Sequence, residues 1–376
     1  MEYSTPPRSD PGVVETTRRH RWPLALLPLA VALQIGAAAS PALVERLYSQ
    51  GVYRLVRAAF AATLGRVPFS VGETLLWGVI ALAVAGVARG AARLVRARGR
   101  RWVVLVAQLR ALWLVAGALY LTFLLVWGLN YRRRPYAELA GLDTRPATVG
   151  ELTAVCERLV AEANEARDGL PEGPDGVLRL ADGRSGALDR AREGYHEAGR
   201  SQPALAGPSA PGKPVLVSSM LSYLGISGIY CPFTGEPNVN MTLPDPDVPF
   251  AASHELAHAH GFAREDEANY LAYLACTVHP DADFRYSGRL GASIYALNAL
   301  ARVDRAAYAR LDAQRSAGVR RDIEALRQWS EHYRGPAERA SRAVNNAYLK
   351  SQGEREGVRS YGRMVDLLIA EERARR

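Results

Sequence analysis

Cysteine is scarce in this chain of 376 residues: Cys156, Cys231 and Cys276 are the only three. They are too few and too scattered for a disulfide framework or a Cys-type zinc site, although one bridge stays open. Internal repeats are absent, as are low-complexity tracts beyond an Ala/Arg bias. The net charge of +9 is not matched by a folded stretch in which Lys and Arg alternate with aromatics, which argues against nucleic acid as a partner. The long apolar runs all lie before residue 131 and are missing after it. The chain therefore divides into a membrane half and a soluble half.

Three segments read as membrane spans. Residues 22–39 (WPLALLPLAVALQIGAAA) fit an uncleaved signal anchor, because further spans follow. Residues 67–88 (VPFSVGETLLWGVIALAVAGVA) carry Glu73 near one end, and residues 111–130 (ALWLVAGALYLTFLLVWGLN) have the length of about 20 that a crossing requires, with Trp127 near an interface. Arg8, Arg18, Arg19 and Arg21 precede the first span, and Arg89, Arg93, Arg96, Arg98, Arg100 and Arg101 fill the connection between the second and third. Positive charge collects on the cytoplasmic side, so residues 1–21 form a cytoplasmic tail and residues 131–376 an extracytoplasmic domain. Arg46, Arg54, Arg57, Arg66 and Arg132 to Arg134 fall on the other side and run against this rule.

In the soluble half, residues 149–167 have the spacing of an amphipathic helix. Residues 170–214, rich in Pro and Gly, read as surface loop around one helix near residues 188–198. From Val215 short β-favouring runs appear, with Thr234 and Gly235 able to turn a hairpin; after residue 265 nearly everything is helical. A small sheet thus precedes a mainly helical domain.

Between these lies SHELAHAHGFAREDEANYLAYLAC, residues 253–276. His254 and His258 are four apart, so on a helix both imidazoles leave one face and can hold one metal ion. In a catalytic zinc site two histidines and a third ligand hold the metal while water takes the open position. Glu255, beside His254, then acts as general base and afterwards as acid to the leaving amine. The flanking residues form an apolar helix in which three titratable groups are costly without a ligand or partner, and Gly261 can end that helix. Glu265 is favoured as third ligand, because it shares a face with Ala268, Asn269 and Ala272; Glu267 is the alternative. Asn269, one turn beyond Glu265, can hydrogen-bond a ligating histidine. His260 reads equally as a surface residue, and Arg264 stands where a metzincin would place a third histidine. Glu236, Pro237, Asn238, Val239 and Asn240 are expected to form an edge strand that pairs with an extended substrate. Tyr270, Tyr333, Tyr361, His332 and Arg359 are each candidates to donate to the oxyanion of the tetrahedral intermediate.

Several longer motifs occur in one order: VPFSVGE (67–73), WGLNYRRRP (127–135), SYLGISGIYCPFTGEPNVN (222–240), HELAHAHGFAREDEANYLAYLAC (254–276) and YLKSQGEREGVRSYGRMVDLLIA (348–370). On these the chain resembles the bacterial domain-of-unknown-function 3810 family, three-span membrane proteins expected to carry a zinc-peptidase-like domain. EDEAN (265–269) is also distantly similar to the E-x-x-A-D of gluzincin peptidases, which aligns Glu265 with their third ligand and puts Asn269 in place of their Asp. The spacing from His258 is shorter than most gluzincins use.

The expected fold is a multi-pass α-helical membrane anchor of three spans (residues 22–130) plus a mainly α, α+β zincin-like metallopeptidase domain with a small sheet. The expected function is a zinc metallopeptidase with one zinc per chain. It would sit in the bacterial inner membrane, in contact with the lipid bilayer, and hydrolyse a peptide or protein substrate in the envelope. The alternative is a non-catalytic zincin-like envelope protein that binds a partner or uses the metal structurally.

Overall fold

The computed structural model describes residues 22–352 and 363–375. The expected cytoplasmic tail of residues 1–21, and the donor candidates Arg359 and Tyr361, lie outside the described residues. The chain is mostly helical, with one small mixed sheet.

Among the described residues, two helices are long and apolar enough to cross a membrane: α4 (Val71–Arg96) and α5 (Arg101–Val126). They present apolar side chains outward, among them Leu82, Val87 and Leu112, as lipid-facing helices do. Ser70 caps α4 by accepting from the Glu73 N–H at 2.9 Å. The first apolar segment forms helix α1 (Leu26–Ala39), only 14 residues long, which bends by 99° into Pro41–Arg66; the pair makes a third candidate span if counted as one. Beyond the bend come the short α2 (Pro41–Leu43), a π-helical stretch (Val44–Val52) and α3 (Tyr53–Ala62). α1 lies against α5 so closely that a Cβ at Gly117 would stand 2.9 Å from the Leu27 nitrogen.

The rest of the chain builds one large core. After α6 (Tyr136–Leu139) comes α7 (Val149–Arg167), opened by a capping box between Thr148 and Glu151. α8 (Gly183–Ser201) is the helix expected near residues 188–198, but it is longer and buried rather than set in surface loop: Ala187, Leu188, Ala191, Tyr195 and Ala198 are all in the core. Its buried stripe is mostly alanine, which carries a weak hydrophobic signal, and Gly194 lets the helix meet the Ala275 carbonyl, 2.4 Å from where a Cβ would sit. α9 (Ser218–Tyr223), α10 (Val248–Ala259), α11 (Glu265–Thr277), α12 (Ala282–Val303), α13 (Arg305–Asp312), α14 (Ala317–Tyr333), α15 (Pro336–Ser351) and α16 (Met364–Arg375) complete the helices. α10, which carries both histidines, is buried along almost its whole length.

The sheet has the order β1-β3-β2, with β1 (Lys213–Pro214) parallel and β2 (Gly228–Cys231) antiparallel to β3 (Glu236–Val239). The Glu236 to Asn240 segment is therefore central rather than the expected edge, and all four residues of β3 are buried. Its polar side chains are committed to the fold. The Glu236 carboxylate accepts from the Val71 and Gly72 N–H groups at 3.1 and 2.7 Å, the first turn of α4. There it satisfies helix N-terminal donors and complements the helix dipole. Asn238 donates to the Glu236 carbonyl, and Asn240 donates to Ser222 and to the Ile226 carbonyl. Glu73 reciprocates from α4, accepting from the Leu216 and Val217 N–H groups. α4 and the sheet region are thus tied through carboxylates on each, which gives VPFSVGE its physical content.

Candidate metal centre

α10 ends at Gly261, whose φ of +83° turns the chain back. A side chain could not stand there: its Cβ would lie 2.9 Å from the Tyr53 ring and 3.0 Å from Asn130 Oδ1. After this tight turn, α11 starts at Glu265 beside the helix it has just left. His254 Nε2 and His258 Nε2 are 3.2 Å apart, and Glu265 Oε2 lies 3.2 and 3.6 Å from them. All three ligand atoms fall within 4.8 Å of one another.

The remaining ring nitrogens decide the tautomers. His258 Nδ1 lies 2.8 Å from the Phe262 carbonyl, and His254 Nδ1 lies 2.8 Å from Asn269 Oδ1. A carbonyl accepts, so His258 Nδ1 donates; with the Asn269 amide oriented as given, His254 Nδ1 donates too. Both Nε2 lone pairs then point at each other and at a carboxylate oxygen that receives no hydrogen bond. Three largely buried acceptors without a donor, two of them on buried residues, make an arrangement that favours a cation or a proton. The spacing suits a metal: with bonds of about 2.0–2.1 Å, two ligands of a tetrahedral ion stand roughly 3.3 Å apart.

The electrostatics agree. Burial disfavours the imidazolium at His258, but the adjacent Glu265 carboxylate outweighs it and raises the pKa to about 9. Burial likewise opposes charge on Glu265, yet His258 and His254 hold it well below the usual carboxylate range. Both shifts favour positive charge within the cluster.

Glu255 is buried, and burial raises its pKa against the pull of both histidines. It lies along β2, accepting from the Tyr230 backbone N–H. A Cβ on Gly228 would meet its Oε1 at 2.5 Å, so only glycine admits the carboxylate. Glu267, the alternative third ligand, points elsewhere: it accepts from the Tyr136 N–H at 2.7 Å, and burial pushes it up to about 7. The hydroxyl of Tyr295 is hydrogen-bonded to Asn269, which supports the contact to His254 from behind.

The other expectations fare differently. His260 is buried rather than at the surface: it stacks on Tyr195 at 4.5 Å and pairs with Arg57, and burial with that guanidinium holds its pKa well below the ordinary value. Tyr270 packs against Tyr136 and Tyr273, Tyr333 against Tyr223, and His332 is exposed. A second group, Glu193, His279 and Asp281, also falls within ligand spacing. There His279 is already engaged at both nitrogens, by the Arg190 carbonyl and the Asp281 N–H.

Sequence reasoning missed the buttress behind the histidines. Trp127 donates to the His258 carbonyl at 2.9 Å, Tyr53 to the Ala259 carbonyl at 2.7 Å, and Arg133 to the Gly261 carbonyl at 2.9 Å. Arg133 also forms a two-pronged bridge to Glu45 and lies 3.9 Å over the Phe262 ring. Arg57 and Arg133, which ran against the charge rule, are thus internal parts of the fold. The signal was WGLNYRRRP, present in the sequence but without a visible partner.

Fold and cluster together define a mainly helical protein with helices able to cross a membrane and a buried group of two histidines and one carboxylate at their end. The chain belongs to the family described as Protein of unknown function (DUF3810), whose model matches residues 48–369. No curated protein and no solved structure matches it. The matched region takes in the Tyr53 and Trp127 contacts as well as the histidines.

Proposed function

We propose that the protein is a membrane-anchored zinc metallopeptidase. The observation that carries this reading is the convergence of two imidazole lone pairs and an undonated carboxylate oxygen, with Glu255 of α10 held beside them against the edge strand β2. His254, His258 and Glu265 would hold the metal. Zinc, when bound, supplies an activated water and polarises the substrate carbonyl. Glu255 accepts the proton of the attacking water and delivers it to the leaving amine, a task suited to a carboxylate whose pKa is raised. Asn269 and the Phe262 carbonyl fix the two rings so that Nε2 faces inward.

The basic connection between α4 and α5 lies at the far end of that hairpin from the site. By the positive-inside rule this supports a site outside the cytoplasm of a bacterial inner membrane. A two-histidine, one-carboxylate set also suits iron. A non-catalytic metal role is favoured by one observation, the small exposure of His254 and Glu265, each 12% at the side chain. In that case Glu255 is dispensable.

The first test is metal content by mass spectrometry on the full-length protein in detergent. About one zinc per chain is expected, lost in His258→Ala. A well-folded wild-type protein that stays metal-free after zinc is supplied overturns the reading. Asn269→Ala is expected to weaken zinc binding by roughly 10- to 100-fold, measured by chelator competition; unchanged affinity would deny Asn269 a positioning role.

A further inference from the structure

The metal centre stands at the membrane end of the domain. Trp127, which holds the His258 carbonyl, is the residue immediately after α5. On the other side, Gly72 in the first turn of α4 packs against the last residue of β2: a Cβ there would touch Cys231 Sγ at 3.0 Å. Strand β2 therefore runs from the start of a membrane helix to the catalytic candidate, with Cys231 at one end and Gly228 against Glu255 at the other. Four residues at about 3.3 Å each cover roughly 10–13 Å.

β2 is also the edge strand on this side of the sheet. The Asn240 N–H donates to the Ser227 carbonyl at 2.9 Å. Antiparallel alternation then turns the backbone groups of Gly228 and Tyr230 away from β3, and the Tyr230 N–H duly reaches Glu255. An extended chain laid along this edge would pass Glu255. Large apolar side chains stand exposed around the strand: Ile229 on β2 is 45% exposed, Phe233 in the following turn 43% and Phe69 before α4 50%. Such a group suits the bilayer boundary, where an apolar segment leaves lipid.

We infer that the substrates are membrane-anchored polypeptides, cleaved in the extended segment that emerges from the bilayer beside α4, with that segment laid on the β2 edge. The inference rests on the peptidase reading above. Water is consumed: its hydroxyl adds to the scissile carbonyl carbon, the C–N bond breaks and the proton passes through Glu255 to the new amine, leaving a carboxylic acid and an amine that ionise to carboxylate and ammonium. The cut falls within about three to six residues of the membrane boundary, as the length of β2 sets the reach.

The test uses the full-length protein, zinc-loaded, in liposomes. Three probes are compared: a single-span peptide followed by a mixed-sequence segment, the same with a long Gly/Ser spacer after the span, and the segment alone. Cleavage positions are read by mass spectrometry, with Glu255→Gln as control. Anchoring by itself raises effective concentration, so position is the deciding reading. The expected result is a cut at one fixed distance from the span, in the spacer where one is present, and at least about tenfold slower cleavage of the free segment. Equal cleavage of the free segment, or a cut that follows the sequence outward past the spacer, overturns this inference and leaves the peptidase reading intact. No cleavage of any probe by zinc-bearing protein removes both.

Discussion

Glu255→Gln is expected to lower hydrolysis by about two to four orders of magnitude while zinc stays near one per chain, because the amide keeps the shape of the carboxylate and loses its ability to accept a proton. The substitution leaves His254, His258 and Glu265 untouched, and glutamine still accepts from the Tyr230 N–H that now meets Glu255. Metal content and turnover are therefore measured on the same preparation. Undiminished turnover would sink the general-base role. Joint loss of metal and turnover would instead show that Glu255 supports the cluster structurally.

Arg133→Ala is expected to cost about 3–5 kcal/mol of stability, read by unfolding in detergent, because it strands the buried Glu45 carboxylate. Both side chains of the pair are less than a tenth exposed. The same change removes the donor to the Gly261 carbonyl and the cation over Phe262, so the turn between α10 and α11 loosens and zinc binding weakens with it. Replacing both partners by apolar residues, Arg133→Met with Glu45→Leu, should recover most of the stability, since removing a buried pair whole is often neutral. The carbonyl donor stays lost, so zinc affinity should recover less. Full stability in Arg133→Ala alone would contradict the structural role assigned to this bridge.

Local patterns carried much of the reading. Residues 149–167 form α7 with those bounds, and the described residues after 265 are mainly helical as their periodicity indicates. α4 and α5 follow from their apolar runs, although they extend to Arg96 and begin at Arg101, past the apolar cores, because arginine continues a helix well. The hairpin around Thr234 and Gly235 likewise rests on a local rule, with Gly235 at φ +68°. Where the reading failed, the deciding contact was distant in sequence. Glu236 looked like a substrate contact until α4 supplied the helix end it caps. His260 reads equally as a surface residue from its neighbours in sequence, and it is Arg57, some two hundred residues earlier, that pairs with it in the interior. The helix near residues 188–198 looked like part of the surface because alanine and glycine bury little apolar area each, and its value lies in close approach to α10 and α11 rather than in hydrophobicity.

The sequence by itself determined that His254 and His258 share a helix face and that apolar helices precede them, because both follow from repeats of one or two turns. Only the tertiary structure decided that Glu265 rather than Glu267 stands beside the histidines, that β2 rather than β3 lies along Glu255, and that Trp127 and Tyr53 hold the turn from behind. These choices depend on which surfaces meet, and a chain fixes that through packing of its whole core, where one residue's partner is set by every other contact at once.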